Sequence, residues 1–356
     1  MNQTKADRAV GIFIGIGILM LIVQVLLGGI TRLTGSGLSI TEWDVLTGTV
    51  PPFSHTAWLG EFEKYKATPQ YNYLNTDFTL DDFKFIYFWE WLHRFWARLI
   101  GVVFVIGFVY LLRKRYLHKR LQQPLLILFL LGALQGAVGW IMVRSGLTGD
   151  EVYVKPTRLA LHFIFAIVLI AYAHWFYLQL RVPSSERQYN RTAIRFTWML
   201  LIILGVQLVF GALMAGHKAA TAAPTWPTIN GAFFPDADGL SGGLKGLFSD
   251  KIAVHFVHRT TGYLLFAGFI VFALVLRRSI AGYQQLARYY LLPAAMALFQ
   301  VLLGIFSLIT SPRIIPNSWG MFETLALLHQ LTALLLVLTL ISILFLVRVK
   351  SFPPQS

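Results

Sequence analysis

The sequence contains no cysteine. Disulfide frameworks, iron–sulfur clusters, thiolate metal sites and cysteine nucleophiles are thereby excluded. Charge is scarce as well. Charged residues make up 13% of the 356 positions, against about 25% in an ordinary soluble domain, so the chain cannot cover a water-facing surface. Acids are scarcer than bases: 16 Asp and Glu against 30 Lys and Arg, a formal net charge of +14. Hydrocarbon fills the rest. Hydrophobic residues are 56% of the chain and the mean hydropathy is +0.63, which excludes disorder. A charge of +14 suits nucleic acid, or a membrane protein that keeps its Lys and Arg on one face. Position along the chain separates the two.

Crossing the hydrocarbon core takes about 20 mostly apolar residues. Eight stretches qualify, near 10–30, 85–112, 122–143, 158–180, 194–216, 251–276, 288–310 and 321–347. The first is too long for the apolar region of a signal peptide, and Gly28-Gly29-Ile30-Thr31-Arg32 is a poor cleavage site. With the N-terminus inside, the inner segments carry Lys5, Arg8, Arg113, Lys114, Arg115, Lys119, Arg120, Arg181, Arg187, Arg191, Arg195, Arg277, Arg278, Arg288, Arg348 and Lys350. These 16 positive residues face two acids, Asp7 and Glu186. The positive-inside rule therefore gives N-in and C-in. The whole excess of charge lies on one side, and the nucleic-acid reading falls away. The first outer loop, near 31–84, holds Trp43, Pro51-Pro52 and Trp58 and is expected to fold on the outer surface. The third, near 217–250, is rich in Gly and Pro.

The odd-numbered spans share a signature: Gln24 with Gly28, Gln135 with Gly139, Gln207 with Gly211, and Gln300 with Gly304. Four residues apart, each pair shares a helix face. An amide beside a glycine suits a tight interhelical contact or a flat ligand. The even spans repeat too, with His93, His162, His258 and His329 at matched places. The offsets between halves, 165 and 167 residues, predict two four-helix bundles. The expected fold is an all-α integral membrane protein of eight transmembrane helices. Four is an even number of spans, so the two bundles are related by a parallel pseudo-two-fold repeat. The expected division is 1–185 and 186–356.

Ionisable residues inside spans are costly and mark function. A lone His is readily a satisfied core residue, but four at one depth are correlated. A closed zinc site takes four ligands. Two axial histidines across a four-helix bundle suit heme, giving one heme-sized site per half. His55 and His118 lie in loops, His174 and His217 near helix ends, and His255 one turn before His258.

The halves differ in chemistry. Aligning His93 with His258 sets Glu90 opposite His255 and Arg98 opposite Tyr263. Glu90 precedes His93 by three residues and shares its face. It reads either as a general acid or base in the pocket, or as an ion-pair partner of Arg94 that anchors the helix. The N-terminal half is expected to do chemistry and the C-terminal half to hold a cofactor.

Gly28-Gly29-Ile30-Thr31-Arg32-Leu33-Thr34-Gly35-Ser36-Gly37-Leu38-Ser39 with Trp43, Gly48 and Pro51-Pro52 resembles the first helix and outer loop of heme A synthases. So do Glu90 through Gly101, and His258-Arg259 with Gly262-Tyr263. The resemblance covers essentially the whole chain and looks like the cysteine-free branch shared with mitochondrial relatives. It implies oxidation of a methyl group of heme O to a formyl group, giving heme A for cytochrome oxidase, in an inner membrane. By that likeness His258 and His329 hold a heme b cofactor, His93 and His162 flank the substrate heme, and Glu90 is the essential carboxylate. Arg32, Arg94, Arg98 and Arg259 are candidate propionate contacts, since guanidinium binds carboxylate bidentately. The implied partners are membrane lipid, heme O synthase as supplier, and an electron-transfer partner that the residues do not name. The competing reading is a b-type di-heme electron-transfer subunit with no chemistry on the heme. Glu90, present in one pocket only, separates the two. A solute transporter would show broken helices at midplane, and the even spans look uninterrupted.

Overall fold

Each apolar stretch becomes one helix, because a chain in hydrocarbon must satisfy its backbone internally. The structure, a computed structural model, describes residues 5–42, 50–235, 243–279, 287, 289–315 and 318–348. Trp43, Gly48, Arg288 and Lys350 lie outside the described residues. The helices are α1 (Lys5–Leu33), α2 (His55–Lys66), α3 (Pro69–Leu74), α4 (Leu80–Arg113), α5 (Lys119–Arg144), α6 (Pro156–Arg181), α7 (Arg191–Gly216), α8 (Gly243–Ser249), α9 (Lys251–Ser279), α10 (Leu292–Thr310) and α11 (Met321–Val347). Among the described residues, eight of them are long and apolar enough to cross a membrane: α1, α4, α5, α6, α7, α9, α10 and α11.

Local chemistry sets the ends. Thr79 and Asp82 cap α4 reciprocally: the Asp82 carboxylate accepts from the Thr79 N–H at 2.9 Å, and Thr79 Oγ1 accepts from the Asp82 N–H at 3.3 Å. Pro156 opens α6, where its missing N–H costs nothing. The seventh span begins at Leu292 rather than near 288, with Pro293 in its first turn. α4 starts well before the expected 85, and its 34 residues reach about 50 Å at 1.5 Å per residue. That exceeds a hydrocarbon core of about 30 Å. The surplus turns join the 55–79 segment in an aromatic cap. There Phe62, Tyr65, Phe78, Phe83, Ile86 and Tyr87 are buried together, with Phe62 and Tyr65 stacked on Phe83 at 5.0 and 5.3 Å. Burial raises the Tyr65 phenol to about 12.

α1 packs on α4 and α6, and α5 packs on α6. α7, α9, α10 and α11 close a ring, each packing on two of the others. α6 with α7, and α1 and α6 with α11, join the two groups. α11 is the central post, with 72% of its apolar window buried, against 6% for α4 and 11% for α5. After α6 the linker is tied to the end of α11, where Gln188 N and Asn190 N donate to Leu346 O and Val347 O. These bonds satisfy two of the carbonyls that a helix end leaves over.

Candidate functional site

The four Gln–Gly pairs and the four histidines prove to be one repeated contact. Gln24 on α1 donates to the backbone carbonyl of His93 on α4 at 3.2 Å, and Gln135 on α5 to that of His162 on α6 at 3.2 Å. Gln207 on α7 donates to the carbonyl of His258 on α9 at 2.9 Å, and Gln300 on α10 to that of His329 on α11 at 2.9 Å. The glycine one turn on seats the imidazole. A Cβ on Gly28 would lie 2.9 Å from His93 Cε1, and one on Gly139 2.8 Å from His162 Cε1. Gly211 and Gly304 leave 3.1 Å to His258 and His329. The amide therefore spends itself on the neighbouring helix, and the glycine fixes where the ring stands.

The rings meet in pairs. His258 and His329 stand 6.2 Å apart between centroids, with planes at 70°. The His329 Nδ1–H donates to Gln300 O at 3.0 Å, which leaves Nε2 as the lone pair. A metal–nitrogen bond is about 2 Å long, so two such bonds placed end to end between imidazoles need centroids about 6 Å apart. The pair would be spaced to hold one metal-centred group between its imidazoles, and a backbone bond to the far nitrogen, made here by His329, is the usual support for a metal ligand. His93 and His162 are electrostatic neighbours in the other group. Their rings are engaged differently: Gln24 Nε2 lies 3.1 Å from His93 Nε2, and Gln135 Nε2 lies 3.2 Å from His162 Nδ1.

Glu90 is 2% exposed. Its Oε2 accepts from Ser39 N at 2.7 Å, Ser39 Oγ at 2.7 Å and Ile40 N at 2.9 Å, while Oε1 accepts from Arg94 Nη2 at 2.6 Å. Arg94 goes on to the carbonyls of Ile40 and Glu42, each at 3.1 Å. Glu90 and Arg94 thus rivet the segment after α1 to α4. His255, at the matching place, is buried and has Nε2 3.1 Å from Arg259 Nη2. Arg259 donates to the carbonyls of Thr225, Pro227 and Thr228 at 2.8, 3.1 and 3.0 Å. The same rivet recurs, with an imidazole in place of the carboxylate. Tyr263, matched to Arg98, accepts from Trp226 Nε1 at 2.8 Å.

Of the candidate arginines, Arg94 and Arg259 are committed to loop carbonyls. The guanidinium of Arg32, half-buried at the end of α1, makes none of the hydrogen bonds or ion pairs found among the described residues. Arg98 lies one turn past Arg94 on the His93 helix. The remaining histidines have local work: His174 Nε2 is 2.8 Å from Ser342 Oγ, His217 Nε2 is 2.9 Å from Phe248 O, and His118 is the N-cap of α5. Sequence reasoning missed Ser39 and the carbonyls of 225–228. Backbone groups leave no residue signature, although Ser39 closes the glycine-rich motif.

A duplicated set of seated histidines in a membrane bundle is specific enough to compare with known families. The chain matches COX15-CtaA, described as cytochrome oxidase assembly protein, over residues 11–341. It belongs to this family. Its relatives include a protein named heme A synthase from Bradyrhizobium sp. (strain ORS 278), 40% identical over 94% of this chain and 90% of its own length. Another of that name, from Methylobacterium sp. (strain 4-46), is 41% identical over 89% and 86%. One from Cereibacter sphaeroides (strain ATCC 17023) is 38% identical over 84% and 80%.

Proposed function

We propose that the chain is a heme A synthase, a multi-pass membrane oxidoreductase that converts a methyl group of heme O to a formyl group. The observation that carries this is the pair of seated-histidine sites in a chain of this family, each with an arginine-riveted loop and only one with a carboxylate. The relatives' printed name agrees.

The halves, 1–185 and 186–356, form a parallel pseudo-two-fold repeat with both termini inside an inner membrane. The matched Gln–His–Gly contacts support the repeat, and the clustering of Lys and Arg supports the orientation. His258 and His329 hold a heme b cofactor, favoured by their 6.2 Å centroid separation. When bound, that group supplies a redox-active iron for electron transfer. His93 and His162 flank the substrate, each ring held by a glutamine. Heme O comes from a heme O synthase, and electrons leave to a membrane partner. Arg32 and Arg98 meet the propionates. Arg94 and Arg259 are clamps, since both are spent on loop carbonyls.

Glu90 is the essential carboxylate of the substrate half. Its four hydrogen bonds favour a positioning role, in which it fixes Ser39 and Ile40 beside the His93 pocket. The decisive experiment is mass analysis of hemes extracted from the detergent-purified protein. Heme b together with heme O, an alcohol intermediate or heme A is expected. Heme b alone points to an electron carrier, and no heme at all defeats both readings.

A further inference from the structure

The two groups of helices differ in one wall. α9 packs along α10, but α4 and α5, their counterparts at an offset of 165 residues, have no side-by-side packing. They meet where Phe104 and Phe129 stand 6.0 Å apart, and in the leucine cluster of Leu111, Leu121, Leu125 and Leu128. From Phe104 towards the histidines no ring contact or buried cluster joins α4 to α5 among the described residues.

Glycines line that gap. A Cβ on Gly101, Gly132 or Gly136 would meet nothing within 4 Å. The matching positions in the other group are Phe266, Ala297 and Val301. Ala297 is buried, and Phe266 packs against the core. Gly101 lies two turns past His93 on its side of α4, and Gly132 and Gly136 flank Gln135, which holds His162. No charged residue occurs between Ile100 and Leu112 on α4, or between Pro124 and Val143 on α5. The stretch is apolar, and Gly101, Gly132 and Gly136 are exposed.

We propose that this slot is the subsite for the isoprenoid chain of the substrate heme, which lies between α4 and α5 while the macrocycle sits at His93 and His162. The proposal rests on the heme A synthase reading and deepens it. Heme O differs from heme b in carrying such a chain, so the slot discriminates substrate from cofactor. A tail-less heme has no use for it, and the second group fills the same place with Phe266 and Val301 side chains.

The test transplants those side chains. Gly101→Phe and Gly136→Val, singly and combined, with Gly136→Ala as a gentle step, are purified in detergent with their resident heme. Heme O and heme b are then titrated separately into the first-half site and followed by absorbance. The wild-type chain should bind heme O at least tenfold more tightly than heme b, a difference of about 1.4 kcal/mol. The variants should lose that preference in the order Ala, Val, Phe, keeping heme b affinity and resident heme content. Unchanged heme O affinity in the double variant overturns the subsite. So does equal loss of both hemes in Gly136→Ala, and so does release of co-purified phospholipid with no change in heme O binding, which would make the slot a lipid site. Failure of the wild-type chain to bind either heme defeats the parent reading instead.

Discussion

The first four long helices and the last four carry the same two glutamine–histidine contacts on unlike frames. The last four close a ring around Phe269, Phe272 and Leu276, each essentially buried. The first four leave α4 and α5 apart and set Gly101, whose Cβ would meet nothing within 4 Å, where the other group has Phe266. One group builds its pocket into a packed core and the other leaves it open to lipid. A resident cofactor must stay and a substrate must come and go. On the proposed function, this difference in packing suits a division of labour between the two histidine pairs.

The sharpest way to break this comparison is to remove one ligand from each group. His258→Ala and His329→Ala should abolish retention of the resident heme, read as heme per protein after gel filtration. His93→Ala and His162→Ala should leave that heme in place while ending product formation. Equal loss of resident heme in all four variants would mean the groups do not divide roles.

The rivets come next. Glu90→Ala removes one side of a buried ion pair and leaves Arg94 without its carboxylate partner, a change that costs up to about 3–5 kcal/mol. It should free the segment after α1, seen as new proteolysis between residues 34 and 54, and stop turnover. Glu90→Gln keeps an acceptor for Ser39 and should restore part of the activity with a raised KM. If Glu90→Gln is as dead as Ala with its loop still protected, the carboxylate acts on the substrate directly. His255→Ala should loosen 225–228 by less, since a hydrogen bond with one charged partner contributes about 1.5–3 kcal/mol, and should spare the first pocket.

Smaller effects belong to the seats. Gly139→Ala pushes a methyl to 2.8 Å from the His162 ring, whereas Gly304→Ala leaves 3.1 Å to His329. Overpacking costs about 1–3 kcal/mol, so Gly139→Ala should perturb its ring more, measured as altered heme affinity at each site. The aromatic cap gives the smallest signal. Tyr65 is held neutral up to about 12, against about 10 in an unfolded chain. Between those values the unfolded cap sheds a proton that the folded cap keeps, so cap stability falls as pH rises through the window. Phenolate absorbance compared with Tyr65→Phe checks it.

The sequence by itself determined the helices and singled out the repeated Gln, Gly and His positions. Long apolar runs leave a membrane chain no alternative to helix, and the spacing of Gln, Gly and His survived duplication visibly. It also showed that Glu90 and His255 occupy matching places. Only the tertiary structure decided what these residues touch. Gln24 could have faced a ligand, but it faces the His93 backbone. Arg94 and Arg259 could have faced propionates, but loop carbonyls hold them. Backbone acceptors belong to every residue alike, so no pattern of side chains announces them. The open wall between α4 and α5 was equally hidden. A glycine on a helix seats a neighbour or faces empty space, and only the position of the next helix tells which.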